Sequence, residues 1–230
     1  MMFNLVSNHS RKNITKKSDS AFTLDLDVFA KTSPGRTDVE SFIINGFQKS
    51  YNASVSVNMP WVLAIKDGQF KAALGIRSAV NPLFIEQYLD TPIENVISNV
   101  ASNVSRDEIA EIGNLYSNAK RFTLPLFLVT AVSLFCNNYR YMVFSGTEHV
   151  LKLIQKIGVD TRFIVDADQN KLNPSTDDWG SYYHTNPKVV SISLASVMSI
   201  IENNNTYATL FSALTPKIVQ TTSRLRGELS

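Results

Sequence analysis

The sequence predicts a mixed α/β fold, a central mixed sheet flanked by helices, and three observations carry that expectation. Periodic segments alternate in kind along the chain, reading helix, hairpin, helix, strand, helix, strand, helix. An Asp67-Gly68 pair separates the two apolar runs of "PWVLAIKDGQFKAALGIRSA". The uncharged run "FTLPLFLVTAVSLFC", residues 122 to 136, lies between two strand-like stretches, which favours a right-handed crossover between parallel neighbours.

Each element has its own signal. Residues 1 to 20 are polar and basic, with "RKN" and "KK" clusters, and are expected to form a mobile basic arm. "DVESFIINGFQKSYNA" places Phe42, Ile43, Phe47 and Tyr51 on one helical stripe, with Asp38 available as N-cap. At Asp67-Gly68 the glycine supplies the positive φ that a tight hairpin turn requires. "PLFIEQYLDTPIENVISNV" reads as one or two short helices broken at Pro92. A strand at about 108 to 116, a helix at about 123 to 137 and a strand at 139 to 145 follow. "EHVLKLIQKIG" has helical period, Thr147 as N-cap and a stop at Gly158. A strand-like tail starts at Tyr182. Residues 21 to 192 thus read as one domain, and residues 193 to 230 as an amphipathic helical extension that packs on the domain or on a partner.

Bulk properties narrow the function classes. With 44% hydrophobic and 18% charged residues the composition is that of an ordinary globular protein. A net charge of +2 argues against nucleic acid as a partner. The lone Cys136 offers no disulfide framework. The N-terminus lacks the apolar core of a secretory signal, and the 122 to 136 run is shorter than the roughly 20 residues of a spanning helix. The expectation is a soluble, cytoplasmic chain with no integral membrane insertion. No GxxxxGK, GxSxG or HExxH motif is present, and His9, His149 and His184 are too dispersed to suggest a metal.

Six ordered blocks carry a resemblance: "SFIINGFQKSYNASV", "PWVLAIKDGQFKAALGIRSA", "NPLFIEQYLDTPIE", "RDEIAEIGNLYS", "FIVDADQNKL" and "WGSYYHTNPKVV". Over about residues 38 to 192 the chain resembles the thermostable hemolysin family, which is similar to the GNAT acyltransferases and, more distantly, to acyl-homoserine lactone autoinducer synthases. The resemblance implies a GNAT-like acyltransferase fold, in which two central strands splay to admit a pantetheine arm. It implies acyl transfer from a thioester, either acyl-CoA or the phosphopantetheine of an acyl carrier protein, to a small-molecule amine acceptor. The family name opens another reading, a non-catalytic lipid- or acyl-binding protein that perturbs membranes. The chain offers no spanning segment or long amphipathic strand pair for that purpose. Dimerisation through the terminal helices is the other partner expectation.

Such chemistry needs an anion-binding corner, a cleft, a base for the amine and a polariser for the thioester carbonyl. The corner "NLYSNAKRF" lies between a strand and a helix, where backbone N–H groups and the helix dipole favour phosphate. Leu115, Tyr116, Ser117, Lys120 and Arg121 are the candidate carrier-binding residues there. By resemblance, Arg121 aligns with a basic residue of the family; its alternative is a surface charge at a helix start. Tyr116 replaces a small residue after "GNL", and the GNAT pyrophosphate glycines are absent, so carrier-protein-bound acyl groups stand beside coenzyme A as donors.

Glu111, an acid inside an apolar strand, is the candidate base; otherwise it faces solvent or pairs with Arg106. Glu86 and Asp90 share a face if "LFIEQYLD" is helical, and with Arg77 are candidates to bind the acceptor; otherwise they pair with Arg77 or cap the turn. Of the "WGSYYHTNP" cluster, Trp179 and Tyr182 are candidates to line an acyl tunnel and Tyr183 to protonate the departing thiolate. The alternative is an aromatic packing plug.

Overall fold

The computed structural model describes residues 25–98 and 103–229. Its strands are β1 (Asp25–Ala30), β2 (Trp61–Asp67), β3 (Gln69–Ser78), β4 (Ile109–Ser117), β5 (Tyr141–Gly146), β6 (Arg162–Asp166) and β7 (Lys188–Ser193). They form one sheet in the order β1-β2-β3-β4-β5-β7-β6. Every neighbouring pair is antiparallel except β4 and β5, which are parallel. The helices are α1 (Arg36–Tyr51), α2 (Ile93–Ser98), α3 (Lys120–Phe135), α4 (Glu148–Gln155), α5 (Leu194–Glu202) and α6 (Asn205–Leu229). The arm expected over residues 1 to 20 lies outside the described residues.

Local chemistry explains most of these elements. Gly68 turns the β2–β3 hairpin at φ 69°. Thr147 caps α4, its hydroxyl accepting the Val150 N–H at 3.4 Å. α1 begins at Arg36 and not after an Asp38 cap; Gly35, at φ 78°, is its N-cap. The buried Arg36 guanidinium anchors that start, donating to the carbonyls of Phe29 (2.9 Å) and Met59 (2.6 Å) and pairing with Glu40 at 2.6 Å.

The uncharged run is α3, and its setting accounts for its composition. One side packs on β2, β3 and β4, the other on α5 and α6. Leu126 through Leu134 are all buried. A helix covered on both sides has no solvated face to carry charge, so the amphipathic pattern disappears. α6 also reaches β1, where Lys217 pairs with Asp25.

Three expectations about elements change. β1 and β6 are strands at places to which the sequence pattern assigns no element. The tail from Tyr182 begins as a 3₁₀ turn, Tyr182–Thr185, and becomes strand only at Lys188. "LFIEQYLD" folds as a 3₁₀ turn, Phe84–Tyr88, so the i,i+4 relation between Glu86 and Asp90 does not apply.

Candidate active site

The site originates in a strand that leaves its neighbour. β4 and β5 pair only through Ile109–Tyr141, Ala110–Met142 and Glu111–Val143. Beyond Glu111, β4 continues with β3 while β5 continues with β7. The β3–β4 register slips between Ala73 and Gly75, and Asn114 opposite the slip sits at φ 51°. This extra residue is a bulge, which bends β4 and re-aims its side chains. A cavity of about 130 Å³ opens there, lined by Gly113 to Leu115 of β4, Phe144 to Gly146 of β5 and the α4 cap Thr147.

Glu111 lies on its wall, 1% exposed. Its carboxylate accepts the N–H of Phe84 at 3.0 Å and of Ile85 at 2.9 Å, from the start of the 3₁₀ turn. Arg77, its cross-strand partner, stands 3.9 Å away and also lines the cavity. Burial pushes the Glu111 carboxyl up; the two N–H bonds and the Arg77 charge pull against that without cancelling it. The solvent-facing arrangement and the Arg106 pairing are both absent.

The far wall is aromatic. Phe84, Tyr88, Trp179, Tyr182 and Tyr183 all line the cavity. Trp179 packs at 5.4 Å from Tyr182 and 5.9 Å from Tyr183, between ring centroids. The hydroxyls of Tyr88 and Tyr183 are 2.6 Å apart. Burial raises both, Tyr183 to about 12. A strap carries this wall. Ser54 and Asp178 exchange backbone hydrogen bonds at 2.6 and 2.8 Å, the Ser181 N–H donates to the Tyr51 carbonyl at 2.8 Å, and Asp177 accepts from Ser56.

The remaining candidates are scattered. Leu115 lines the cavity. The Tyr116 ring turns away onto α1, where it sits so close that a Cβ on Gly46 would meet it at 2.3 Å. The Ser117 hydroxyl donates to the Ala119 carbonyl at 2.8 Å. Lys120 and Arg121 open α3; Arg121 lies 3.7 Å from Asp67 and over the Phe122 ring. Glu86 does not reach the cavity. Arg106 binds both its oxygens (2.7 and 2.9 Å), and the N–H groups of Leu83 and Ile93 take up more of its acceptor capacity. Burial pushes Glu86 up, but these partners together hold it below the usual carboxylate range. Asp90 is exposed and pairs with Lys171 at 3.3 Å. The sequence reading missed Tyr88, although "LFIEQYLD" contains it; an aromatic in a short turn does not announce which cavity it meets.

Among the described residues, no cluster of three or more His, Cys, Asp or Glu side chains could hold a metal. None of their helices is long and apolar enough to cross a membrane.

A mixed sheet whose parallel central pair splays around a cleft defines the GNAT-like acyltransferase class of fold, and solved structures agree with that assignment. The acyl-homoserine lactone synthase LasI superposes with a TM-score of 0.52 at 14% identity, covering 75% of this chain and 90% of its own. BjaI, a CoA-dependent acyl-homoserine lactone synthase solved with SAM and isopentyl-CoA, gives 0.54 at 8% identity over 78% and 89%. FeeM, an N-acyl amino acid synthase from uncultured soil microbes, gives 0.50 at 10% over 77% and 95%. No curated protein sequence matches the chain significantly. The sequence profile of the thermostable hemolysin family matches residues 29–198, and the chain belongs to that family.

Proposed function

We propose that the protein is an N-acyltransferase, moving an acyl group from a thioester donor, acyl-CoA or acyl carrier protein, to a small amine. The observation that carries this reading is the buried Glu111 carboxylate on the wall of the cleft between β4 and β5. The amine nitrogen attacks the thioester carbonyl carbon, a C–N bond forms, and the C–S bond breaks. The proton lost by nitrogen passes to Glu111 and then to the departing sulfur. A carboxyl raised by burial is a stronger base than an exposed one, and therefore better matched to this task. Both its oxygens accept only one backbone N–H each, leaving acceptor capacity for the amine.

Tyr183 has a narrower role than full proton donation. At about 12 it is a weaker acid than a thiol at about 8.5, so transfer to a thiolate runs uphill. It serves as a hydrogen-bond donor to the carbonyl or sulfur. Tyr88 is hydrogen-bonded to it and more deeply buried; with Tyr88 as donor in that bond, the Tyr183 proton is left for the cleft. Trp179 and Tyr182 wall the acyl group, and Arg77 faces any acidic group on the acceptor.

The start of α3 fits a phosphate in part. Lys120 and Arg121 are exposed there, and Ala119 offers no side-chain cap to compete for the first N–H groups. Ser117, at the end of β4, is six residues from Glu111, about 20 Å of strand, a span that an extended pantetheine arm bridges.

Thermal denaturation of the pure protein with acyl-CoA and acyl carrier protein of varied chain length, paired with thiol release on adding amines, tests the proposal. A rise in Tm with amine-dependent thiol release is expected. Stabilisation without release from any amine, together with lysis of red cells, would replace it by the acyl-binding, membrane-perturbing reading.

A further inference from the structure

Two glycines face each other across the sheet beside Glu111. Gly75 of β3 and Gly113 of β4 are register partners, two residues along from the Arg77–Glu111 pair and on the same face. Neither lies in the left-handed region, so backbone conformation does not explain them. What explains them is Met59. A Cβ on Gly75 would meet Met59 Cγ at 2.1 Å, and a Cβ on Gly113 would meet Met59 Cε at 2.4 Å. The methionine side chain therefore lies in the trough left by the two missing side chains, running from β3 to β4 with its methyl end over Gly113.

Its position is held from behind. The Met59 carbonyl accepts from the buried Arg36 guanidinium at 2.6 Å, which fixes the backbone while the side chain keeps its rotatable bonds. Met59 is 4% exposed, yet it is part of the cavity lining, as are Gly113 and Glu111. It is a plug in a trough that opens into the cleft.

We propose that Met59 sets the length of hydrocarbon chain the cleft accepts. Resting on the thioester reading above, the trough under Met59 is a closed extension of the acyl pocket. Glycine backbones and a thioether methyl present it with apolar surface, which suits an unbranched polymethylene chain and offers an amine nothing. Shortening Met59 opens the trough; crowding its methyl end drives it into the cleft and shortens the pocket.

The test compares wild type with Met59→Ala, Gly113→Ala, the double variant and Met59→Leu. Each is melted against straight-chain thioesters from butyryl to palmitoyl, on coenzyme A and on carrier protein. Met59→Ala removes three heavy atoms, and its preferred chain is expected to lengthen by about two or three methylenes, each worth about fourfold in affinity. Gly113→Ala is expected to shift the preference to shorter chains, since the new Cβ displaces a flexible methyl end. In the double variant the methyl end that the new Cβ would displace is gone, so the preference is expected to stay with the longer chains of Met59→Ala; independent sites would instead add their opposite shifts and return towards wild type. Met59→Leu keeps the volume and is expected to keep the wild-type profile. Thioester binding by wild type with an unchanged profile in both Met59→Ala and Gly113→Ala overturns this inference alone. Absence of any thioester binding by wild type overturns the function proposed above, and the inference falls with it.

Discussion

A carboxylate taken out of water costs several kcal/mol unless its charge is met, and Glu111 meets only part of that cost through two backbone N–H groups and a guanidinium 3.9 Å away. Burial therefore shifts the balance towards the protonated form relative to the unfolded chain, and the folded pKa lies above the unfolded value. A folded state that holds the proton more tightly is most stable below the unfolded pKa, about 4.3, and loses that stability as pH rises through the folded value. Glu111→Gln removes this dependence. Its Tm is expected to fall less than that of wild type as pH rises from about 4.3, and scanning calorimetry across pH reads the difference directly. At neutral pH the amide turns an N–H donor towards one of two backbone donors, so the variant should be less stable by about 1–3 kcal/mol and lack thiol release. Turnover equal to wild type would remove Glu111 from the mechanism. Glu86 shows what the sequence left undecided at this scale. It and Glu111 are both acids amid apolar residues, but Arg106, twenty positions away, occupies one and not the other.

Among the elements, the turn Phe84–Tyr88 and the strap Asp177–Tyr183 do most to shape the cleft, and both are short segments held by polar contacts. Arg106 ties the first of them, binding Glu86 and, at 2.6 Å, Glu94 at the start of α2. Arg106→Ala leaves two partly buried carboxylates unmatched and is expected to cost about 2 kcal/mol, measurable by urea denaturation with an unchanged m-value. The strap depends on Gly180, at φ 50°, where a Cβ would lie 2.2 Å from the Tyr51 carbonyl. Gly180→Ala should lift the strap, cost about 2 kcal/mol and red-shift the emission of Trp179 as its ring meets water. Unshifted emission would mean the strap tolerates the substitution. Period and turn chemistry made α1, the β2–β3 hairpin, β4, α3 and α4 legible. β1 and β6 were not, although "DLDVFA" alternates buried Leu26 and Val28 with more exposed neighbours. A strand of five or six residues at a sheet edge buries too little to leave a strong pattern.

At the scale of the whole molecule, the C-terminal helices complete the core. α3 is buried on both sides because α5 and α6 cover the side that the sheet does not. Leu194, Val197, Ile201, Leu214, Ile218 and Leu225 belong to the same apolar cluster as Leu126 and Leu134. Ending the chain at Ser193 would expose that side of α3, and the truncated protein is expected to aggregate or to bind ANS as a loosely packed state. A monomeric truncation product with native near-UV dichroism would instead make the extension dispensable.

Hydrophobic period, one Asp-Gly turn and the family's ordered blocks are local properties, written residue by residue, and they were enough for the fold class, the family and the suspicion that falls on Glu111. Which acids are free to act, which aromatics share a wall and where the trough beneath Met59 opens depend on contacts between residues far apart in the chain. Arg106 finds Glu86, Asp177 finds Ser56, and Met59 finds Gly75 and Gly113 only once the sheet has formed and β4 has bent away from β5. Those pairings are set by packing and strand register, for which no stretch of sequence carries the pattern by itself.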